Sequence, residues 1–98
     1  MAQVTATMTA IDLRNAQQEV VRGRHVWKLQ AMLNVWLRSA DTPAHEQPPA
    51  LLATDGRGGS RTKAVLLRFQ DAFGIKQDAI AGSHTWRNLL EFDGVVDA

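Results

Sequence analysis

The chain has 98 residues, 45% of them hydrophobic and 21% charged, with 11 Lys and Arg against 10 Asp and Glu for a net charge of +1. That length suits one domain with a modest core, the composition argues against wholesale disorder, and near neutrality leaves no long-range field to draw the chain onto nucleic acid or anionic lipid. Cysteine is absent, which excludes disulfides, thiolate nucleophiles and thiolate metal sites, so stability has to come from packing.

The first seven residues, Met1 to Thr7, carry neither a basic region nor an apolar stretch of the signal-peptide kind, and no window approaches the roughly 18 apolar residues of a membrane span. The expectation is synthesis in the cytoplasm without a cleaved signal, and no membrane insertion. Residues 2–11 interleave Val4, Thr5, Thr7, Thr9 and Ile11 with Ala and Met8. They read as a weakly β-prone arm with no obvious partner inside the domain. Asp12 is placed to cap a short helical turn through Leu13, Ala16 and Val20, and Gly23 ends this lead-in.

From about His25 to Leu37 the pattern is helical: Val26, Leu29, Leu33, Trp36 and Leu37 recur at spacings of three and four on one face, with Lys28, Gln30 and Asn34 mostly elsewhere. Trp27 lies one position off this stripe, and two readings stand: a partly buried flank, or a ring facing a ligand or partner. Residues 39–51, with Pro43, Pro48 and Pro49, form a connection rather than a helix. Asp55-Gly56-Arg57-Gly58-Gly59 is a tight turn. A second helix runs from about Ser60 to Phe73 on Val65, Leu66, Phe69 and Phe73. Gly74 suits a left-handed helix end onto which Ile75 folds back. Gly82 and Ser83 precede a third helix with Trp86, Leu89 and Leu90 inward. Gly94 stops it, leaving an acidic tail.

Three short amphipathic helices can hide their apolar stripes only against one another, around Trp86, Phe69, Leu66, Leu29 and Leu33. The fold expected is all-α: a compact three-helix bundle with an N-terminal extended arm. Its parts are residues 1–22 as arm and lead-in, 23–92 as the helical domain and 93–98 as the tail.

Three fragments in order carry a resemblance. They are Gly23-x-x-Val26-x-x-Leu29-Gln30-x-x-Leu33-Asn34; then Asp55-Gly56 with Gly59-x-x-Thr62-x-x-Val65-Leu66-x-x-Phe69-Gln70, Gly74-Ile75 and Asp78; and then Ile80-x-Gly82-x-x-Thr85-Trp86-x-x-Leu89. Together they resemble the peptidoglycan-binding domains, three-helix modules of bacterial and phage cell-wall proteins, over roughly residues 23–90. The chain departs from that family's pattern at Gly58, where an aromatic is usual, at Ala79, where a glycine is usual, and in the longer Pro-rich connection. Its own residues also repeat one device: Gly59 and Gly82 each precede a helix, with Thr62 and Thr85 three positions on, in the first turn. There each threonine can turn its methyl inward and its hydroxyl toward free backbone groups.

Chemistry is sparse. His25, His45 and His84 have no neighbour at metal-ligand spacing, so neither a metal nor a cofactor is expected. Ser60 and Ser83 lack a His–Asp relay. A glycosidase carboxylate pair needs about 5 to 9.5 Å between its acids and a sugar cleft to hold them, for which so small a core has little room. The third helix offers only Arg87 as a base against nucleic acid, where several donors are the rule. Asp55 and Asp78 are expected to hold their turns by accepting backbone N–H groups.

The resemblance therefore implies a non-catalytic module whose partner is peptidoglycan, through its stem peptide or glycan. Arg57 and Arg61 are the candidates to pair with stem-peptide carboxylates, since Arg makes such pairs bidentate, and Asp78 and His84 would complete a polar rim. The alternative is a structural component of a phage virion, tail or secretion-type assembly, contacting other subunits through residues 2–22. The place of action is accordingly the cell wall or a virion.

Overall fold

A computed structural model describes residues 10–39 and 51–93. In chain order the elements are β1 (Ile11–Asp12), β2 (Val21–Arg22), α1 (Arg24–Ser39), β3 (Arg57–Gly58), α2 (Ser60–Ala72), β4 (Ile80–Ala81) and α3 (Ser83–Asp93). The expected parts that fall on residues 1–9, 40–50 and 94–98, namely most of the arm, the Pro-rich connection and the acidic tail, lie outside the described residues.

The three helices form where the apolar spacing puts them. Helix α1 packs against both α2 and α3. Between them Trp86, Phe69, Leu29, Leu33, Leu66, Leu89 and Leu90 are almost completely buried. The Phe69 ring meets Trp36 edge-on at 5.3 Å and stacks on Phe73 at 4.4 Å, offset and edge-to-face contacts that aromatic quadrupoles favour. Helix α2 ends in a Schellman motif: Gly74 has φ +69, its N–H donates to Asp71 O at 3.2 Å, and Ile75 N–H donates to Gln70 O at 2.8 Å.

The fold is not purely helical. Two antiparallel ribbons of two strands each tie the segment before α1 to the starts of the later helices. In one, Ile11 faces Ala81 and Asp12 faces Ile80; in the other, Val21 faces Gly58 and Arg22 faces Arg57. Each ribbon gains one more backbone bond, from Leu13 N–H to Ala79 O at 2.8 Å and from Gly23 N–H to Gly56 O at 3.1 Å. The expectation of an arm without a partner is therefore corrected at its end: Ile11 pairs within its own chain and is buried, as are Leu13 and Ala16.

Asp12 does not cap a helix. It sits in β1, and its Oδ1 accepts the Arg14 N–H at 3.0 Å. Its carboxylate also meets the Arg14 guanidinium at 2.7 Å. That side-chain bond first, and the backbone bond second, hold the Asp12 pKa down to about 2. Val20, named with Leu13 and Ala16 on the expected lead-in turn, is exposed, whereas those two are buried. Trp27 is half exposed.

Gly58 is buried against this lead-in. A Cβ there would stand 3.0 Å from Leu13 Cδ2 and 3.2 Å from Val26 Cγ1, so these two side chains fill the space that a larger residue at 58 would take.

Candidate functional site

Two side chains that the helical stripe set aside as outward, Gln30 and Asn34, point inward. Gln30 is 1% exposed and Asn34 6%, and both are fully engaged. The Asn34 carboxamide donates to Leu52 O at 2.8 Å and accepts Leu52 N–H at 2.7 Å, fixing the chain where it returns toward the Asp55 turn. Gln30 holds the turn itself. Its Nε2 donates to Arg57 O at 3.0 Å, Thr62 Oγ1 at 3.1 Å and Asp55 Oδ1 at 3.3 Å, while its Oε1 accepts Gly56 N–H at 3.0 Å.

The same knot is tied again in the second half. Gln70, fully buried, donates through Nε2 to Ile80 O at 3.0 Å, Thr85 Oγ1 at 3.2 Å and Asp78 Oδ1 at 3.2 Å, and its Oε1 accepts Ala79 N–H at 3.2 Å. Asp55 and Asp78 each accept the N–H two residues on, from Arg57 at 2.9 Å and Ile80 at 3.0 Å. That is the turn-holding role expected of them. Gly56 and Ala79 both take positive φ, +74 and +60, as a carbonyl turned toward the ribbon and an N–H turned toward the glutamine require. The positions of the turn and of the helix start recur 23 residues later, 55 at 78, 57 at 80 and 62 at 85, while the glutamines that hold them, 30 and 70, lie 40 apart. The threonine hydroxyls, expected near free backbone groups, are instead acceptors for the two glutamines.

Each knot carries a groove on its outer side. The first, about 250 Å³, is lined by Leu52, Asp55, Arg57, Ser60 and Arg61 over Gln30. The second, about 620 Å³, is lined by Phe73, Ile75, Asp78, Ser83, His84 and Asn88, among others, next to the turn that Gln70 holds. The four candidate ligand residues thus separate into two pairs, Arg57 with Arg61 on the first groove and Asp78 with His84 on the second, and of these Arg61 and His84 hold corresponding places in the two repeats. Asp55 keeps its carboxylate below the usual range, mainly because the Arg57 N–H bonds to it and secondly because Gln30 does, against partial desolvation. It therefore stays ionised beside the two arginines. Sequence reasoning missed Gln30 and Gln70 as the parts that shape both grooves. The signal was present in the paired offsets of Thr62 and Thr85, which ask what each hydroxyl faces.

Among known proteins, the chain is 45% identical over 42 residues to a zinc D-Ala-D-Ala carboxypeptidase of Streptomyces albus G, an alignment covering 43% of this chain and 16% of that protein. No solved structure matches it. The family model described as "Putative peptidoglycan binding domain" matches residues 22–89, more than two thirds of the chain and both knots with their grooves. The chain belongs to this peptidoglycan binding domain family.

Proposed function

We propose that the chain is a wall-binding module that recognises peptidoglycan without acting on it. The family match across residues 22–89 carries this reading, and the grooves supply its physical form: shallow, partly polar surfaces held open by buried knots, which suit a polar polymer better than a small apolar ligand. In the first groove Arg57 and Arg61 offer planar donor forks to stem-peptide carboxylates. In the second, Asp78 and His84 supply a polar rim, with Phe73 and Ile75 beneath for the apolar parts of sugar or peptide. The matching relative is a carboxypeptidase, but the matched stretch is a small part of it, and the role assigned to this chain is binding. No described helix is long and apolar enough to cross a membrane. The assembly alternative drew in part on an N-terminal stretch lacking a partner, and of that stretch Ile11 and Asp12 pair with β4 of the same chain.

The test is co-sedimentation with purified sacculi. Wild type should pellet with them, less so as salt rises, because the contacts lie at an exposed rim. Replacing Arg57 and Arg61 together by Ala should weaken binding by roughly tenfold with little change in melting, the scale expected for losing charge-assisted bonds that are partly screened. A wild-type chain that sediments with no sacculus type would overturn the reading.

A further inference from the structure

The two ribbons repeat in backbone but not in charge, and the difference singles out one of them. On β1–β4 the outward pair is Asp12 facing Ile80, and the single charge there is neutralised inside the chain by Arg14 at 2.7 Å. On β2–β3 the corresponding pair is Arg22 facing Arg57. Val21 and Gly58, one residue along, turn toward the core, so Arg22 and Arg57 project together from the opposite, exposed face. Like charges directly opposed across an antiparallel pair destabilise it. No ion pair to Arg22, Arg57 or Arg61 is present among the described residues. The nearest acids along the chain are Glu19 for Arg22 and Asp55 for Arg57. Asp55 has Oδ1 committed to Arg57 N–H and Gln30 Nε2, and its charge also acts on the Arg57 side chain without an ion pair forming. Two guanidinium groups thus leave the same exposed face of one ribbon at a stability cost, Arg57 at the mouth of the first groove, with no ion pair formed to either among the described residues.

We infer that Arg22 and Arg57 form a two-pronged clamp for a carboxylate of the ligand, Arg22 being a binding residue in addition to the two arginines of the groove. This rests on the wall-binding reading, which also selects the ligand's chemistry: peptidoglycan itself offers carboxylates, on its stem peptides. A carboxylate set between two guanidinium forks removes their repulsion and satisfies both planar donor arrays at once. The half-exposed Trp27 adjoins the clamp, for its Cβ lies beside Gly56, whose own Cβ would come within 3.9 Å of it.

The experiment compares wild type, Arg22→Gln, Arg22→Lys and, as a matched loss of one exposed charge elsewhere, Arg87→Gln. Each is tested for sedimentation with intact sacculi, alone and with an excess of soluble stem peptide whose carboxyl groups are either free or amidated, and with sacculi stripped of phosphodiester-linked polymers. Arg22→Gln should lower affinity for intact sacculi by about tenfold, while its melting temperature stays equal or rises, more so at low salt. Arg22→Lys should recover part of the affinity, and Arg87→Gln should bind as wild type. Excess stem peptide with free carboxylates should bring wild type down to the level of Arg22→Gln, with little further loss for the variant, whereas the amidated peptide should compete with neither. Undiminished binding by Arg22→Gln overturns the clamp while leaving wall binding standing. An equal loss in Arg87→Gln, or dependence on the phosphodiester polymers instead of the stem peptides, overturns it too. A wild-type chain that never sediments overturns both.

Discussion

Gln70 reaches more of the chain than any charged residue of the second groove. Its one carboxamide joins a helix, a ribbon and the first turn of the next helix, and none of the bonds can be replaced by water without opening the core. Gln70→Ala leaves the buried Ala79 N–H and Thr85 hydroxyl without partners, and urea denaturation should show a loss of about 2 to 4 kcal/mol, since each unsatisfied buried group costs about 1 to 3. Gln70→Glu should be worse than Gln70→Ala despite its shape, because a carboxylate has no N–H to give Ile80 O and faces the Asp78 oxygen. If Glu proves milder than Ala, the donor role assigned to Nε2 is wrong. At this scale much was hidden in the sequence. Gln30 and Asn34 look like outward polar residues on a helical wheel, and only the turn carbonyls and threonines, brought in from 18 to 32 residues away, reveal why they are buried.

Among the elements, the helices were legible and the strands were not. Apolar spacing fixes α1, α2 and α3 to within a residue or two because each helix repeats its pattern over three or more turns. A strand of two residues has no alternation to read, and the partner of Ile11 lies 70 positions away at Ala81. The missing strands also help explain Gly58, which is tight because the lead-in sets Leu13, β2 the Val21 carbonyl and α1 Val26 against it. Gly58→Ala should destabilise by about 1 to 3 kcal/mol through overpacking. In a Leu13→Ala background the same change should cost less, since the shortened side chain vacates the space. A double-mutant cycle measured by denaturant melts reads this coupling directly. Strict additivity would mean that Leu13 does not press on this turn.

For the whole molecule, the family match and the folded unit have different edges. The match begins at residue 22, whereas the packed core takes in Ile11, Leu13 and Ala16. A chain shortened to begin at Arg22 should therefore lose about 3 to 6 kcal/mol, from burial of roughly 1.5 to 3 kcal/mol for each large aliphatic side chain removed. That is a large part of the stability of a domain this size, and an unchanged urea midpoint would place residues 10–21 outside the cooperative unit. The candidate site was half visible beforehand. The charged rim residues stand out on any surface, but their division into two grooves follows from the duplicated knot. That knot has a consequence for recognition. Ordering a loop costs about 1 to 2 kcal/mol per residue, and here the glutamines settle that cost during folding, before any ligand arrives. Binding at either groove can then proceed as rigid docking, with affinity drawn from few contacts and selectivity from shapes that do not adapt to the wrong polymer.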